Sequence, residues 1–357
     1  MRTAAAFAWR YLLGALFTLT PVTAVLVVGW TQRSAARTVA RRWETHAGSP
    51  AGEEHRHWPR WIMADDAGTL FAEARRSGPV RAITLSFRAL FGSLWANAYA
   101  GVCALVPIAI ILAPAGVLWA LSWWAGWDNS FNKGYEQAFL GQLIALAGIA
   151  YFIVAMTLLP LAEIRQAVNN SWASFFDVPF LRRAAREVQF GLIGLAALFV
   201  TAGFVVAVMK VAPLGLGNST TDPEALQLIA ERYPLLVAAA LFPLYVALRV
   251  AAAHVYARAT LKLAAKNDAG LAAPERALLQ QFGVNFSEQP TRTALKRTVL
   301  GAGTILSGAI ASTVALALWF GLVAEIYVSQ FLVHDWTHWI NHPLIQLPWT
   351  GSIFWPR

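Results

Sequence analysis

Long apolar runs alternate with polar, arginine-rich stretches along the whole chain. A helix needs about 20 apolar residues to cross the hydrocarbon core of a bilayer, and the chain contains six runs of that kind. The predicted spans are approximately 11–30, 98–124, 139–162, 189–209, 234–253 and 299–328. The pattern therefore predicts an all-α integral membrane protein, in which a bundle of about six transmembrane helices with interfacial amphipathic helices forms one polytopic domain over residues 1–357.

Composition supports a membrane protein and limits its chemistry. The chain is 57% hydrophobic and 13% charged, which is more apolar surface than a soluble domain of 357 residues can bury. Its net charge of +9 would suggest nucleic acid for a soluble protein, but in a membrane protein a basic excess usually sets orientation. The single cysteine, Cys103, excludes an internal disulfide. We expect contact with the lipid bilayer and no nucleic-acid partner.

The distribution of Lys and Arg predicts which loops face the cytoplasm. Loops 31–94, 163–188 and 254–298 hold ten, four and seven of the 28 basic side chains. Because cytoplasmic loops carry this excess, we place these three loops inside a bacterial inner membrane and both termini outside. The first segment has an alternative, because Pro21 near its middle and the arginines before it also suit a re-entrant hairpin with an inner N-terminus.

Tryptophan marks the predicted outer interface, where an apolar ring and a polar N–H group are both satisfied. Four tryptophans close the second span and four lie in the predicted outer-face tail, residues 329–357, which together make half of the 16 in the chain. We expect interface anchors at Trp119, Trp123, Trp124, Trp127, Trp336 and Trp339.

The loops also contain helix signals. Residues 69–94 form an amphipathic stretch that could lie in the inner interface with its arginines toward anionic headgroups, although a solvated connector is an equally open interpretation. Asp177 precedes a proline and a basic run, and its carboxylate can accept hydrogen bonds from free backbone N–H groups, which predicts a helix start. Pro274 predicts a short helix in the third loop.

The segment YLLGALFTLTPVTAVLVVGW, the basic helix after it and the motif HWPRW resemble a family of prokaryotic multi-span membrane proteins known only as a domain of unknown function. Pro59 and Trp61 match the family's Leu-Pro-Glu-Trp-like motif, whereas Arg60 stands where the family has an acid. The step 176–177 is similar to a Phe-Asp step in the family's loop. The resemblance covers about residues 11–210 and implies a shared membrane fold without any catalytic residue.

Ionisable side chains inside spans are costly and suggest a functional site with a partner. Glu163 closes the third span and Arg249 lies in the fifth, near the same predicted face, so the two could pair across the bundle. Lys210 and Glu325 stand near the opposite face. A gate, a structural ion pair and a snorkelling arginine all remain open interpretations of Glu163 and Arg249.

The sixth span carries small residues four positions apart, a pattern that lets helices approach closely. They are Gly303, Ser307 and Ala311 in one row and Gly308 and Ser312 in the next. We expect a packing face, either within the bundle or against another subunit.

The tail contains the stretch HDWTHWINHP, in which His334, His338 and His342 are spaced by four. On a helix this stripe drifts by about 40° at each step, so His334 and His338 are the candidate metal ligands. The flanking tryptophans favour instead an outer anchor or docking tail. We predict no cofactor.

We find no phosphate-binding glycine loop and no nucleophile elbow, and therefore predict no enzymatic activity. The preferred function is a non-catalytic scaffold or accessory subunit that packs against other membrane proteins or itself, or shapes the bilayer. One alternative is a channel or transporter with a polar site at Glu163 and Arg249; another is a metal- or cofactor-binding membrane protein that uses the C-terminal histidines. A polar cavity between the third and fifth spans would favour transport, and a sealed, dry bundle would count against it.

Overall fold

The fold is an all-α membrane bundle, as predicted. The computed structural model describes residues 2–48, 59, 61, 67–128, 138–218, 222–266, 271–284, 286, 294–333 and 340–353. Of these described residues 88% are helical, and no strand occurs among them. The helices are α1 (Arg2–Phe17), α2 (Pro21–Ala47), α3 (Ala67–Ala74), α4 (Pro79–Trp123), α5 (Ala138–Asn169), α6 (Trp172–Phe176), α7 (Val178–Glu187), α8 (Gln189–Asn218), α9 (Pro223–Ala265), α10 (Ala273–Gln281) and α11 (Ala294–Val333).

Within these described residues, five helices are long and apolar enough to cross a membrane. Their apolar segments are Pro79–Gly126, Phe139–Asn169, Gln189–Pro213, Pro223–Ala265 and Gly308–Tyr327. They correspond to the second to sixth predicted spans. The predicted amphipathic stretch, 69–94, is divided: residues 69–74 belong to α3, whereas residues 79–94 are continuous with the second span in α4.

The first predicted span, 11–30, is instead a helical hairpin. Its two helices meet at Thr18–Thr20, where the backbone leaves the helical conformation. Tyr11 before the break and Trp30 after it lie 6.2 and 5.9 Å from the Phe242 ring, whereas one continuous helix would hold them about 28 Å apart. The structure therefore corrects the spanning interpretation to the hairpin alternative, and α1 begins on the same side of the bundle as the C-terminal end of α2.

Capping residues explain where several helices begin. Thr20 accepts a backbone hydrogen bond at the start of α2, and Pro21 occupies the first helical position. Asp177 accepts a hydrogen bond from Phe180 N at the start of α7, which confirms the helix start predicted there. Pro274 lies in the first turn of α10, which confirms the short helix predicted in the third loop.

The centre of the bundle is α9, which packs against α1, α2, α5, α7 and α8. Its buried side chains recur every three or four positions, as expected for a helix face turned toward a core. They include Tyr233, Val237, Leu241, Tyr245, Leu248, Ala252 and Tyr256. On either side of α9, α2 packs on α4 and α8 packs on α11.

The described parts of the predicted arginine-rich loops lie at one end of the bundle, which we call the basic end: residues 31–47, 163–188, 254–266 and 271–284. There Trp43 donates a hydrogen bond to Thr260 of α9, and its ring lies 5.5 Å from Phe282, just after α10. Trp61 of the HWPRW motif donates to the carbonyl of Val168 near the end of α5, at 2.8 Å. Trp43 and Trp61 therefore pack against the basic end, whereas the alternative of a solvated connector concerned residues 69–94.

Helices α2 and α4 run antiparallel in very close contact. A Cβ on Gly29 would lie 1.8 Å from the Asn97 carbonyl, and one on Gly101 would lie 2.1 Å from the Val25 carbonyl, so only glycine fits at these two crossings. Moving four residues forward along α2 thus corresponds to moving four residues back along α4. The rest of α2, with its arginines, continues beside the first half of α4.

Most of the C-terminal segment 340–353 is buried or half-buried against the bundle, although Ile340 at its start is exposed. Leu344 and Ile345 are fully buried and Ile353 is nearly so. The N–H of Thr350 donates to the carbonyl of Thr18 at the break between α1 and α2, at 2.9 Å. The apolar side chains of this segment gain more from burial in the bundle than from a place at the surface. The side of the membrane that the predicted tail faces stays a prediction.

Candidate functional site

The central polar feature is an ion pair between α5 and α9. Nη1 of Arg249 lies 2.9 Å from Oε2 of Glu163, and the side chains are 2% and 1% exposed. The structure thus brings together the two residues that the sequence predicted as an intramembrane pair. Both are enclosed by protein, so this conformation holds them away from solvent.

The C-terminal segment closes the site around Arg249. Nη2 of Arg249 donates to the carbonyl of Ile345 and to the Tyr245 hydroxyl, and its guanidinium lies 4.6 Å from the centre of the Tyr245 ring. The same hydroxyl donates to the carbonyl of Gln346 at 3.1 Å. A cation with a carboxylate, a carbonyl and an aromatic face around it is well compensated even at low dielectric.

The carboxylate side of the pair is less well compensated. Among the described residues, Oε1 of Glu163 has no hydrogen-bond partner, and Oε2 has only the charge contact with Arg249. Nε of Arg249 also lacks a hydrogen bond, as does Oε1 of Gln166, one turn along α5 from Glu163. Buried polar atoms are normally satisfied, so Glu163 keeps acceptor capacity that a polar group could use.

A second buried network occupies the basic end. Arg165 of α5 contacts Glu275 of α10 and lies 2.9 Å from Asp177, before α7. It also donates to the Ser174 carbonyl at 2.9 Å, and its guanidinium lies 3.9 Å from the centre of the Phe180 ring. Sequence reasoning missed this network, since Arg165 and Glu275 look like ordinary charged residues of polar loops. The only signal was that each stands in a stretch otherwise suited to a helix.

A third network lies at the opposite end of the bundle. Nζ of Lys210 in α8 is 2.9 Å from Oε1 of Glu325 in α11, and Nε2 of His342 is 2.9 Å from Oε2 of the same carboxylate. The last histidine of the HDWTHWINHP stretch therefore binds Glu325. It anchors the start of the buried C-terminal segment.

The predicted metal ligands His334 and His338 lie outside the described residues. Within the part of the chain that the structure describes, no group of three or more His, Cys, Asp or Glu side chains could hold a metal ion. The predicted metal site therefore stays a prediction.

The tryptophans predicted as outer anchors divide into two groups. Trp119 is buried between α5 and α11, with its ring 5.1 Å from Phe152 and 5.8 Å from Tyr327, which corrects its assignment as an interface anchor. Trp123 is half-buried and Trp124 is exposed. Trp336, Trp339 and the side chain of Trp127 lie outside the described residues.

The small-residue face on α11 is partly a packing face. Ala311 is buried, and a Cβ on Gly308 would lie 2.9 Å from Nε2 of Gln189 in α8, so α11 packs close to that side chain here. Ser312 is exposed. Gly303 and Ser307 belong to α11, but the surroundings of these two residues lie outside what the structure describes.

An exposed apolar stripe covers the first half of α4. Six large apolar side chains, at intervals of three or four positions except for the adjacent Leu90 and Phe91, are between 55% and 79% exposed: Val80, Ile83, Phe87, Leu90, Phe91 and Trp95. The rings of Phe87 and Phe91 stack at 6.3 Å. We call this surface the α4 stripe. Its helical spacing makes it one continuous face.

Comparisons with known proteins add no relative, because no family model, curated protein or solved structure matches the chain. The resemblance to the family of unknown function therefore stays a prediction.

Proposed function

We propose that the protein is a non-catalytic membrane scaffold or accessory subunit that binds another membrane protein through the α4 stripe. The observation that carries this proposal is the position of the stripe beside the charged half of α2. Gly29 and Asn97 mark the same level on the two helices, so the stripe lies alongside the α2 arginines from Arg33 to Arg42. Arginines of this density belong outside the hydrocarbon core.

Helix length supports the same placement. The 45 residues of α4 extend about 68 Å, whereas the hydrocarbon core is about 30 Å thick. The prolines of α4, Pro107 and Pro114, lie within its predicted span, so neither marks a bend at the base of the stripe. A stripe beyond the core has no acyl chains to cover it, and an apolar face of this size in water favours binding to protein.

The proposal includes a location. With the basic end toward the cytoplasm of a bacterial inner membrane, the α4 stripe faces the cytoplasmic side. The partner would then be a membrane protein with an apolar groove at its cytoplasmic edge, or a second copy of this chain.

Photo-crosslinking from the stripe tests the proposal. A photoreactive phenylalanine at Phe87 should form a protein adduct of one defined mass in the native membrane. The matched control is the same group at Val154, an exposed position in the apolar part of α5, which should react with lipid. Lipid adducts alone at both positions would contradict the scaffold. An adduct of twice the chain mass would identify self-association.

A second candidate function, transport, is favoured by the unpaired atoms around Glu163. Enclosure of the pair counts against an open channel. A transporter can enclose its binding site in one conformation and expose it in another. A buried carboxylate with an unused acceptor oxygen beside a cation, inside the bundle, suits such a site.

Ion flux into vesicles separates the two candidates. Vesicles that contain the protein and a pH-sensitive dye should leak protons no faster than empty vesicles if the protein is a scaffold. Flux that depends on Glu163, lost in Glu163→Gln but kept in the surface control Glu187→Gln, would instead establish transport through this site.

A further inference from the structure

A pocket opens between α5, α7, α8 and α11, away from the three charge networks. It is a half-open groove with a cavity volume of about 100 Å³. Its walls are largely apolar, with Met156, Leu195 and Trp319 among the lining residues. Arg186 and Gln189, where α7 passes into α8, line the same pocket and supply its polar groups.

The arrangement fits an amphiphile. On α11 the lining runs from Ala311 to Trp319, which corresponds to a depth of about 12 Å along the helix. The apolar wall lies within segments that are apolar enough to cross a membrane. Arg186, by contrast, belongs to a helix of the basic end and is exposed.

We propose that this pocket binds an anionic phospholipid, with one acyl chain against Met156, Leu195 and Trp319 and the phosphate on Arg186 and Gln189. The guanidinium of Arg186 offers a charge-assisted contact to a phosphate oxygen, and the Gln189 amide can donate a second hydrogen bond. Gly308 leaves the space in which Gln189 sits beside α11. Basic pockets between membrane helices at the positively charged side bind acidic headgroups in this way.

Charge complementarity selects the anionic class. Arg182 and Arg183 are also exposed on α7, but only Arg186 lines the pocket. A general basic surface would use all three arginines equally, whereas the proposed site depends on Arg186 and on the empty apolar volume behind it.

Native mass spectrometry of the detergent-purified protein tests the site, with phosphatidylglycerol and phosphatidylcholine as the two probes. The wild-type chain should retain one phosphatidylglycerol in preference to phosphatidylcholine. Arg186→Ala should weaken that retention about fivefold, whereas the matched control Arg183→Ala should not. Ser312→Trp, at an exposed position that lines the pocket, should block binding, and Thr313→Trp beside it should not.

Soluble glycerol phosphate separates a lipid from a free phosphate ligand. If the acyl chain supplies part of the affinity, millimolar glycerol phosphate should neither displace the lipid nor raise the melting temperature. Equal losses in Arg186→Ala and Arg183→Ala, unchanged binding in Ser312→Trp, or full competition by glycerol phosphate would each overturn the proposal. The melting temperature of each variant without lipid shows that the chain still folds.

Discussion

Glu163 and Arg165 lie two positions apart on α5 and face different parts of the molecule. Glu163 meets a single cation, Arg249, from another membrane helix, and keeps an oxygen without a hydrogen bond among the described residues. Arg165 meets two carboxylates, a carbonyl and an aromatic ring, all from the short helices of the basic end or next to them.

The difference shows what each network does for the fold. The Arg165 network joins the short helices of the basic end to α5, and its several contacts together compensate the charge of the guanidinium. The Glu163 pair joins two helices, and among the described residues the carboxylate has only Arg249 as a partner, so Glu163 depends on that cation. We therefore expect loss of one partner to cost more at the Glu163 pair.

The largest effect is expected for Arg249→Met. This change leaves the Glu163 carboxylate buried without a cation, and the free energy of unfolding should fall by about 3–5 kcal/mol. Equilibrium unfolding in mixed micelles measures it. The double variant Glu163→Leu/Arg249→Met removes both charges and should recover most of the loss; a double variant as unstable as Arg249→Met would show that the two charges are not coupled.

Glu275→Ala should have a smaller effect, because Arg165 keeps Asp177 and the Ser174 carbonyl as partners. We expect a loss of about 2 kcal/mol, typical of a hydrogen bond to a charged group. The control is Glu187→Ala, which removes a pair with Lys266 at the surface and should cost less than about 1 kcal/mol. If Glu275→Ala proved as harmful as Arg249→Met, the contrast between the two networks would fail.

His342→Ala tests the anchor of the C-terminal segment. Glu325 keeps Lys210, so the loss should be about 1–1.5 kcal/mol. Limited proteolysis should then cut within residues 340–353 faster than in the wild-type chain. Unchanged cleavage would mean that burial of Leu344 and Ile345 alone holds the segment in place.

The smallest effect is expected for Trp61→Phe. The substitution keeps most of the ring but removes the N–H that donates to the Val168 carbonyl, at a cost of about 0.5–1 kcal/mol. Tryptophan fluorescence and the melting temperature measure the change. A larger loss would indicate that Trp61 does more than satisfy the end of α5.

Apolar runs predicted the spanning helices well because a bilayer requires long continuous apolar segments. The same rule could not decide the first segment, since only the contacts of Phe242 with Tyr11 and Trp30 reveal the fold-back. Trp119 looked like an interface anchor because the tryptophans that follow it at the end of the second span are predicted anchors. Its burial depends on which face of α4 meets α5, and no local pattern fixes that.

The sequence predicted the charged pair of the candidate site but not its backbone partners. Glu163 and Arg249 stand out because charges are rare in spans, and they do pair. The contribution of Ile345 and Gln346 was not visible, because backbone carbonyls carry no sequence signal. A segment rich in tryptophan and histidine near the C-terminus also suits an interface as well as a buried position.

The central claim is that the α4 stripe binds protein while the Glu163 pair only holds the bundle together. Crosslinking from Phe87 in a chain that also carries Glu163→Leu and Arg249→Met tests both halves at once. We expect the same protein adduct as in the chain with the native pair. A chain that melts at the native temperature yet yields only lipid adducts at Phe87 would contradict it.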